Sequence, residues 1–185
     1  MRTLFLILGL VALAGCMIPG TYFDPFDSYA YGLRWYDRGR YDRALGYWKP
    51  LAEAGDCDAQ AQYGRLYFEG KGLSQDYDQA IMWWTKAANQ GQQKAQIAMG
   101  DLYYQGEHVA IRCQGACGIA RNLVMAYKWY RLGEQASYYK AEREYLKQIL
   151  PKIRAEMSHE EFEKTEKLIT EWRPSPAACK PRHWW

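Results

Sequence analysis

Histidine is almost absent from this 185-residue chain: His108, His159 and His183 stand alone. None has the neighbours that a zinc site, a nucleophilic triad or an acid–base pair requires, so each reads as a surface or loop residue and the chain reads as no enzyme. Charge of one sign is missing too. Lys and Arg number 24 against 21 Asp and Glu, a net charge of +3, and the short tail cluster Lys180-Pro181-Arg182 is too small to matter, which removes the electrostatic case for nucleic acid. The apolar run from Leu4 to Ala14 falls short of the about 20 residues that cross a bilayer as a helix. Placed after Arg2, it reads as the core of an export signal. Gly70-Lys71-Gly72 is no phosphate loop, because it follows a helical pattern and lacks the downstream Lys-Ser/Thr; it is an interhelix turn. No cofactor or metal is expected.

What the chain does have is an internal repeat. Tyr41, Ala44, Trp48, Leu51, Ala52 and Gly55 recur at a spacing of 36 as Tyr77, Ala80, Trp84, Ala87, Ala88 and Gly91. At the same spacing Ala59, Gly64, Leu66, Tyr67 and Gly70 fall on Ala95, Gly100, Leu102, Tyr103 and Gly106. A period in this range marks a solenoid of stacked supersecondary units. Each unit reads as two helices joined by a glycine turn. In the central one, Ala59 to Glu69 is proline-free and ends at Gly70-Lys71-Gly72. Asp76 then caps a second helix, with Gln79 placed to reach back, and Gly91 supplies a left-handed end. One such hairpin cannot bury its apolar faces alone, so the units must stack.

These residues resemble the Sel-one-like repeat, a close relative of the tetratricopeptide repeat. The resemblance is carried by Tyr63-Gly64-x-Leu66-Tyr67-x-x-Gly70-x-Gly72 and by Ala80-x-x-Trp83-Trp84-x-x-Ala87-Ala88-x-x-Gly91. An earlier unit runs from Tyr31-Gly32 to Trp48, and a later one starts at Met99-Gly100 and resumes at Ala126-x-x-Trp129-Tyr130. Ala80 and Ala126 are 46 residues apart, which places ten extra residues in the third interhelix loop. The resemblance implies an all-α, right-handed solenoid with units at 28–55, 57–91 and 93–136, the last carrying an inserted loop at 107–121. Residues 137–173 then read as a capping pair, Tyr138 to Ile149 and Ser158 to Trp172, with Pro151 breaking or kinking the connection. Ser158 and Glu161 form a capping box, and Phe162, Thr165, Ile169 and Trp172 one stripe. Residues 174–185 are a tail without periodicity.

The amino terminus sets the expected location. Leu13-Ala14-Gly15-Cys16 resembles a bacterial lipobox, in which Cys16 is acylated and becomes the first residue after removal of a signal peptide at 1–15. The other reading is an ordinary cleaved signal that happens to contain a Cys. Met17 rather than Asp after it favours, by resemblance to enterobacterial sorting rules, the periplasmic face of the outer membrane, with residues 16–27 as tether. Each buried methylene contributes about 0.8 kcal/mol, so several acyl chains would make the anchor permanent. Cys57, Cys113, Cys117 and Cys179 remain, an even number that allows three pairings in an oxidising compartment. Cys113 and Cys117 are the expected local disulfide inside the inserted loop. Cys57 with Cys179 is left open, since the short tail after Trp172 spans at most about 3.5 Å per residue.

Most of the 8 Trp and 16 Tyr follow the repeat register and belong to the core, among them Trp35, Tyr67, Tyr103, Trp48, Trp84 and Tyr130. A second set, Tyr36, Phe68 and Tyr104, falls four residues after Gly32, Gly64 and Gly100. By the family resemblance this face lines a concave groove, shared with Tyr29, Leu33 and Asp37, with Ala61, Arg65 and Glu69, and with Ile97, Asp101 and Gln105. Such grooves hold an extended peptide or a partner helix; alternatively the aromatic ladder packs against neighbouring units. The expected role is a lipid-anchored periplasmic adaptor for another envelope protein, touching the membrane through its lipid alone. Relatives serve secretion, flagellar-motor and exopolysaccharide assembly. A second reading has the ladder stacking peptidoglycan or exported polysaccharide, and a third has the 107–121 loop inserting into a partner enzyme.

Overall fold

A glycine midway along one helix faces an aromatic ring on the next, three times over, and these pairs set the distance between the helices of each unit. The computed structural model describes residues 25–106, 120–135, 140–175 and 179, and every regular element among them is an α-helix. Helix α1 (Pro25–Asp37) pairs with α2 (Tyr41–Glu53), α3 (Cys57–Glu69) with α4 (Tyr77–Asn89), and α5 (Gln93–Gln105) with α6 (Leu123–Gln135). Two more helices follow, α7 (Lys140–Glu156) and α8 (His159–Glu171). A Cβ on Gly32 would lie 2.2 Å from Trp48 Nε1, one on Gly64 2.7 Å from Trp84 Cδ1, and one on Gly100 2.6 Å from Tyr130 Cδ1. Only glycine lets the ring settle there. The indole N–H of Trp48 then reaches Tyr29 O at 3.2 Å and that of Trp84 reaches Ala61 O at 3.0 Å. In the third unit Tyr130 has no indole nitrogen, and its hydroxyl donates instead to Asp101 Oδ1 at 2.6 Å.

Units join through α2 against α3 and α4 against α5. Small residues allow the approach: Ala44, Ala59, Ala80, Ala87, Ala88, Ala95 and Ala126 are wholly buried. Two glutamines in register strengthen the joints, one at each. Gln60 donates its amide to Ala52 O and Gln96 donates to Ala88 O, so a carbonyl at the end of each second helix finds a partner. Caps follow the sequence signals. Asp76 accepts from Gln79 N, Asn122 from Met125 N, and Ser158 with Glu161 forms the reciprocal box. Gly91 takes the left-handed φ of 89° that ends its helix.

Four expectations need correction. First, α1 begins at Pro25, earlier than residue 28, with proline at the first helical position where its missing N–H costs nothing. Second, Pro151 does not end a helix. It lies on the exposed side of α7, while Leu146, Leu150, Ile153 and Met157 bury a continuous stripe across it; that burial outweighs the lost hydrogen bond. Third, α7 and α8 do not close mainly on each other: both pack on α6. Finally, the start of the tail is no free end. Trp172 joins the core cluster of Ala61, Trp84, Ala88 and Leu132, Ser175 N–H donates to Asn89 O, and Cys179 N–H donates to Gln90 O. Cys179 is disulfide-bonded to Cys57. The tail reaches because α8 runs back along α6, so only the few residues after Trp172 have to span the remaining gap. Cys16, its flanking signal and the Cys113 and Cys117 pair lie outside the described residues.

Candidate functional site

The face formed by the first helix of each unit holds three tied clusters of aromatic and charged side chains. At the junction of the first two units, Tyr36 OH donates to Glu69 Oε2 at 2.6 Å, Arg65 Nε donates to Glu69 Oε1 at 2.8 Å, and Lys71 Nζ lies 3.0 Å from Glu69. Arg65 also stands over the Tyr36 ring, 4.7 Å from its centre. Burial pushes the Glu69 carboxyl up, but bonds from Tyr36, Arg65 and Lys71 outweigh it and hold the group below the ordinary range. Burial and the Glu69 carboxylate together raise the Tyr36 hydroxyl.

In the third unit Asp101 accepts from both Tyr130 and Tyr145 hydroxyls on Oδ1. Burial pushes this carboxyl up, and the two tyrosine bonds only partly offset it. Tyr145 is pushed up to about 12 by burial and by its bond to Asp101. A third cluster joins Tyr104 to α7. Its hydroxyl donates to Glu156 at 3.0 Å, Arg121 pairs with Glu156, and the same guanidinium lies 5.2 Å over the Tyr104 ring. The bonds from Arg121 and Tyr104 lower Glu156.

Placement separates the expected groove residues. Asp37, Arg65 and Gln105 are exposed; Leu33, Tyr36, Phe68, Glu69, Asp101 and Tyr104 are half-buried. Tyr29 and Ile97 are core, at 7% and 9% exposure, and so is Ala61. Tyr29 packs on Trp48, and Ile97 lies against α6 at Gly133, because a helix between two neighbours buries more than one stripe. Phe68 is edge-on to Tyr77 and tilted on Trp84. The ladder is therefore no bare stacking platform. Its rings present edges, with Arg65 and Lys71 over Tyr36 and Arg121 over Tyr104. Spacing missed Lys71, Arg121, Tyr145 and Glu156, whose partners lie up to 52 residues away. Gln60 and Gln96 carried a signal, being 36 apart.

Among the described residues, one group has metal-ligand types close together, Cys57, Asp58 and Cys179, but both sulfurs are used in the disulfide. An open cleft of about 600 Å³ lies between the starts of α6 and α8, lined by Arg121, Leu123, Met125, Glu161, Lys164 and Leu168. No described helix is long and apolar enough to cross a membrane. The arrangement offers fixed donors, acceptors and ring edges, which suits binding.

Residues 57–92 and 93–137 each match the Sel1 repeat. A protective antigen of uropathogenic Escherichia coli with an SLR fold superposes with a TM-score of 0.66 at 21% identity, covering 81% of this chain and 30% of its own. A Sel1 repeat protein from Oxalobacter formigenes superposes with a TM-score of 0.50 at 30% identity, covering 60% of this chain and 40% of its own. The chain thus spans well under half the length of either structure. A search of curated proteins by sequence finds no match.

Proposed function

We propose that this chain, a Sel1-like repeat protein, holds another protein of the bacterial envelope on the face built from α1, α3 and α5. The repeat fold is in general a protein-interaction scaffold and not an enzyme; the finer reading rests on the tied clusters. Tyr36 with Arg65, Glu69 and Lys71, then Asp101 with Tyr130 and Tyr145, then Tyr104 with Arg121 and Glu156 are held in place before any partner arrives. Binding to fixed groups loses less side-chain entropy. An extended peptide or helix carrying both charges fits this row better than a sugar does, since the Tyr36 and Tyr104 rings already have guanidinium groups over them.

The scaffold would be tethered through an acylated Cys16 to the periplasmic face of the outer membrane. The Cys57–Cys179 bond supports an exported protein, because such bonds persist in oxidising compartments. A photoreactive residue at exposed Asp37 or Gln105 should give a discrete protein adduct in the membrane fraction. Absence of any adduct, or only material released by muramidase, would overturn the adaptor. Cys16→Ala should abolish palmitate incorporation into the protein.

A further inference from the structure

The first hairpin has a face that no other described element covers, and it is aromatic and cationic at once. On α1, Tyr31 and Trp35 stand one turn apart; on α2, Arg43 and Tyr47 do the same. The helices run antiparallel, so the pairs meet. Tyr31 stacks on Tyr47 with ring centres 5.8 Å apart and planes 25° apart, and the Arg43 guanidinium lies 4.3 Å from the centre of Trp35. Arg38 lies 5.4 Å over the same indole and Arg34 5.3 Å over Tyr31. Tyr31 is 45% exposed. Arg34, Arg38 and Arg43 are exposed and have no carboxylate partner among the described residues, whereas neighbouring Arg40 is paired with Asp42. The α2 stripe continues through exposed Gly46, where a Cβ would meet nothing within 4 Å. Glycine weakens a helix interior, and packing among the described residues does not ask for it here. It leaves the face low and flat.

We infer that this face docks on the anionic headgroup surface of the membrane to which the chain is tethered. Tyr and Trp rings favour the headgroup level, where an apolar body and a polar edge are both satisfied. Guanidinium groups pair with phosphate oxygens in forked geometry. The three arginines have their charges free for this, each already spread against a ring. Chain length points to the same occupant. Pro25 begins α1 nine residues after Cys16, a stretch that spans at most about 32 Å. A lipid on Cys16 therefore keeps the face close to headgroups at high effective concentration, so that a modest contact suffices. This step rests on the anchor reading above. Docking would fix which end of the stack meets the bilayer, and membrane contact would not be through the lipid alone.

The test uses the full mature chain with Cys16→Ser, which cannot be acylated, sedimented with phosphatidylcholine vesicles with and without phosphatidylglycerol. Binding should need the anionic lipid and weaken as salt rises. Each of Arg34→Gln, Arg38→Gln and Arg43→Gln should weaken it about fivefold, and the three together about 100-fold. The corresponding three Arg→Lys changes should keep most of it. These positions are exposed, so matching circular dichroism melts verify the fold of every variant. Failure to sediment with anionic vesicles, or equal binding by the triple Gln variant, would overturn the proposal. So would binding to isolated sacculi, or self-association in light scattering, that the triple Gln variant loses while vesicle binding is absent. Palmitate incorporation in cells reports the anchor separately. Label without vesicle binding refutes the docking face and leaves the anchor; vesicle binding without label supports the face and refutes the anchor.

Discussion

The two ends of this helical stack are finished in opposite ways. At the carboxyl end, α7 and α8 cover α6, and the chain then turns back to place Trp172 against the middle units and Cys179 against Cys57. At the amino end, Tyr31 and Tyr47 stack on each other, Trp35 lies at the edge of the first core cluster, and on their outer side three arginines are the contacts found among the described residues. A solenoid needs both ends protected, because each unit buries its apolar face only against neighbours. The closed end solves that internally. The open end leaves aromatic surface whose cover lies outside the described helices, and this asymmetry teaches where to look for a partner surface that spacing alone did not mark.

The comparison can be broken first at the latch. The disulfide closes a loop of 122 residues, so Cys179→Ser should destabilise by about 3–5 kcal/mol, on the order of a 10 °C fall in melting temperature. Hydrogen exchange should rise at α8 and around Gln90, and not in α1. Equal loosening at both ends would show that the latch stabilises the chain only as a cross-link. Trp172→Ala comes next, at about 2 kcal/mol, because the ring is partly buried at the same joint; the melt of the variant measured with the disulfide intact isolates the packing share.

Asp101 sharpens the contrast by pH. Burial raises its carboxyl above the ordinary 3.8, so the folded state binds the proton more tightly than the unfolded chain. Its contribution is therefore fullest below pH 3.8 and is lost as pH rises through the folded value. Asp101→Asn keeps an acceptor for Tyr130 and removes the charge, so it should raise the melting temperature at pH 7 by an amount that vanishes in acid. A gain independent of pH would contradict that account. The smallest effect belongs to the open end. Arg38→Gln should change stability by no more than about 0.5 kcal/mol, as read in a urea melt, since Arg38 rests on one exposed ring face.

Much of the fold was legible in the chain. Gly64 with Trp84 and Gly100 with Tyr130 could be paired from spacing, because contacts within a unit are local and recur. The caps at Asp76 and Ser158 were legible for the same reason. The face of α1, α3 and α5 was legible only in outline. Helical spacing places Tyr29 and Ile97 on it, but it does not report that the adjacent helix buries them. Glu156 and Arg121 carry no local pattern that points to Tyr104, since they come from different elements.

Sequence by itself determined the repeat, the caps at Asp76 and Ser158, the small residues at the joints and the expectation of a lipid-bearing Cys16, all of which rest on short-range geometry and composition. Tertiary structure alone decided that the helix runs through Pro151, that Cys57 meets Cys179, and that one end of the stack is latched while the other is covered by no described helix. Those outcomes depend on apolar burial summed over distant elements, which can overrule a local breaker and bring together residues that no spacing connects.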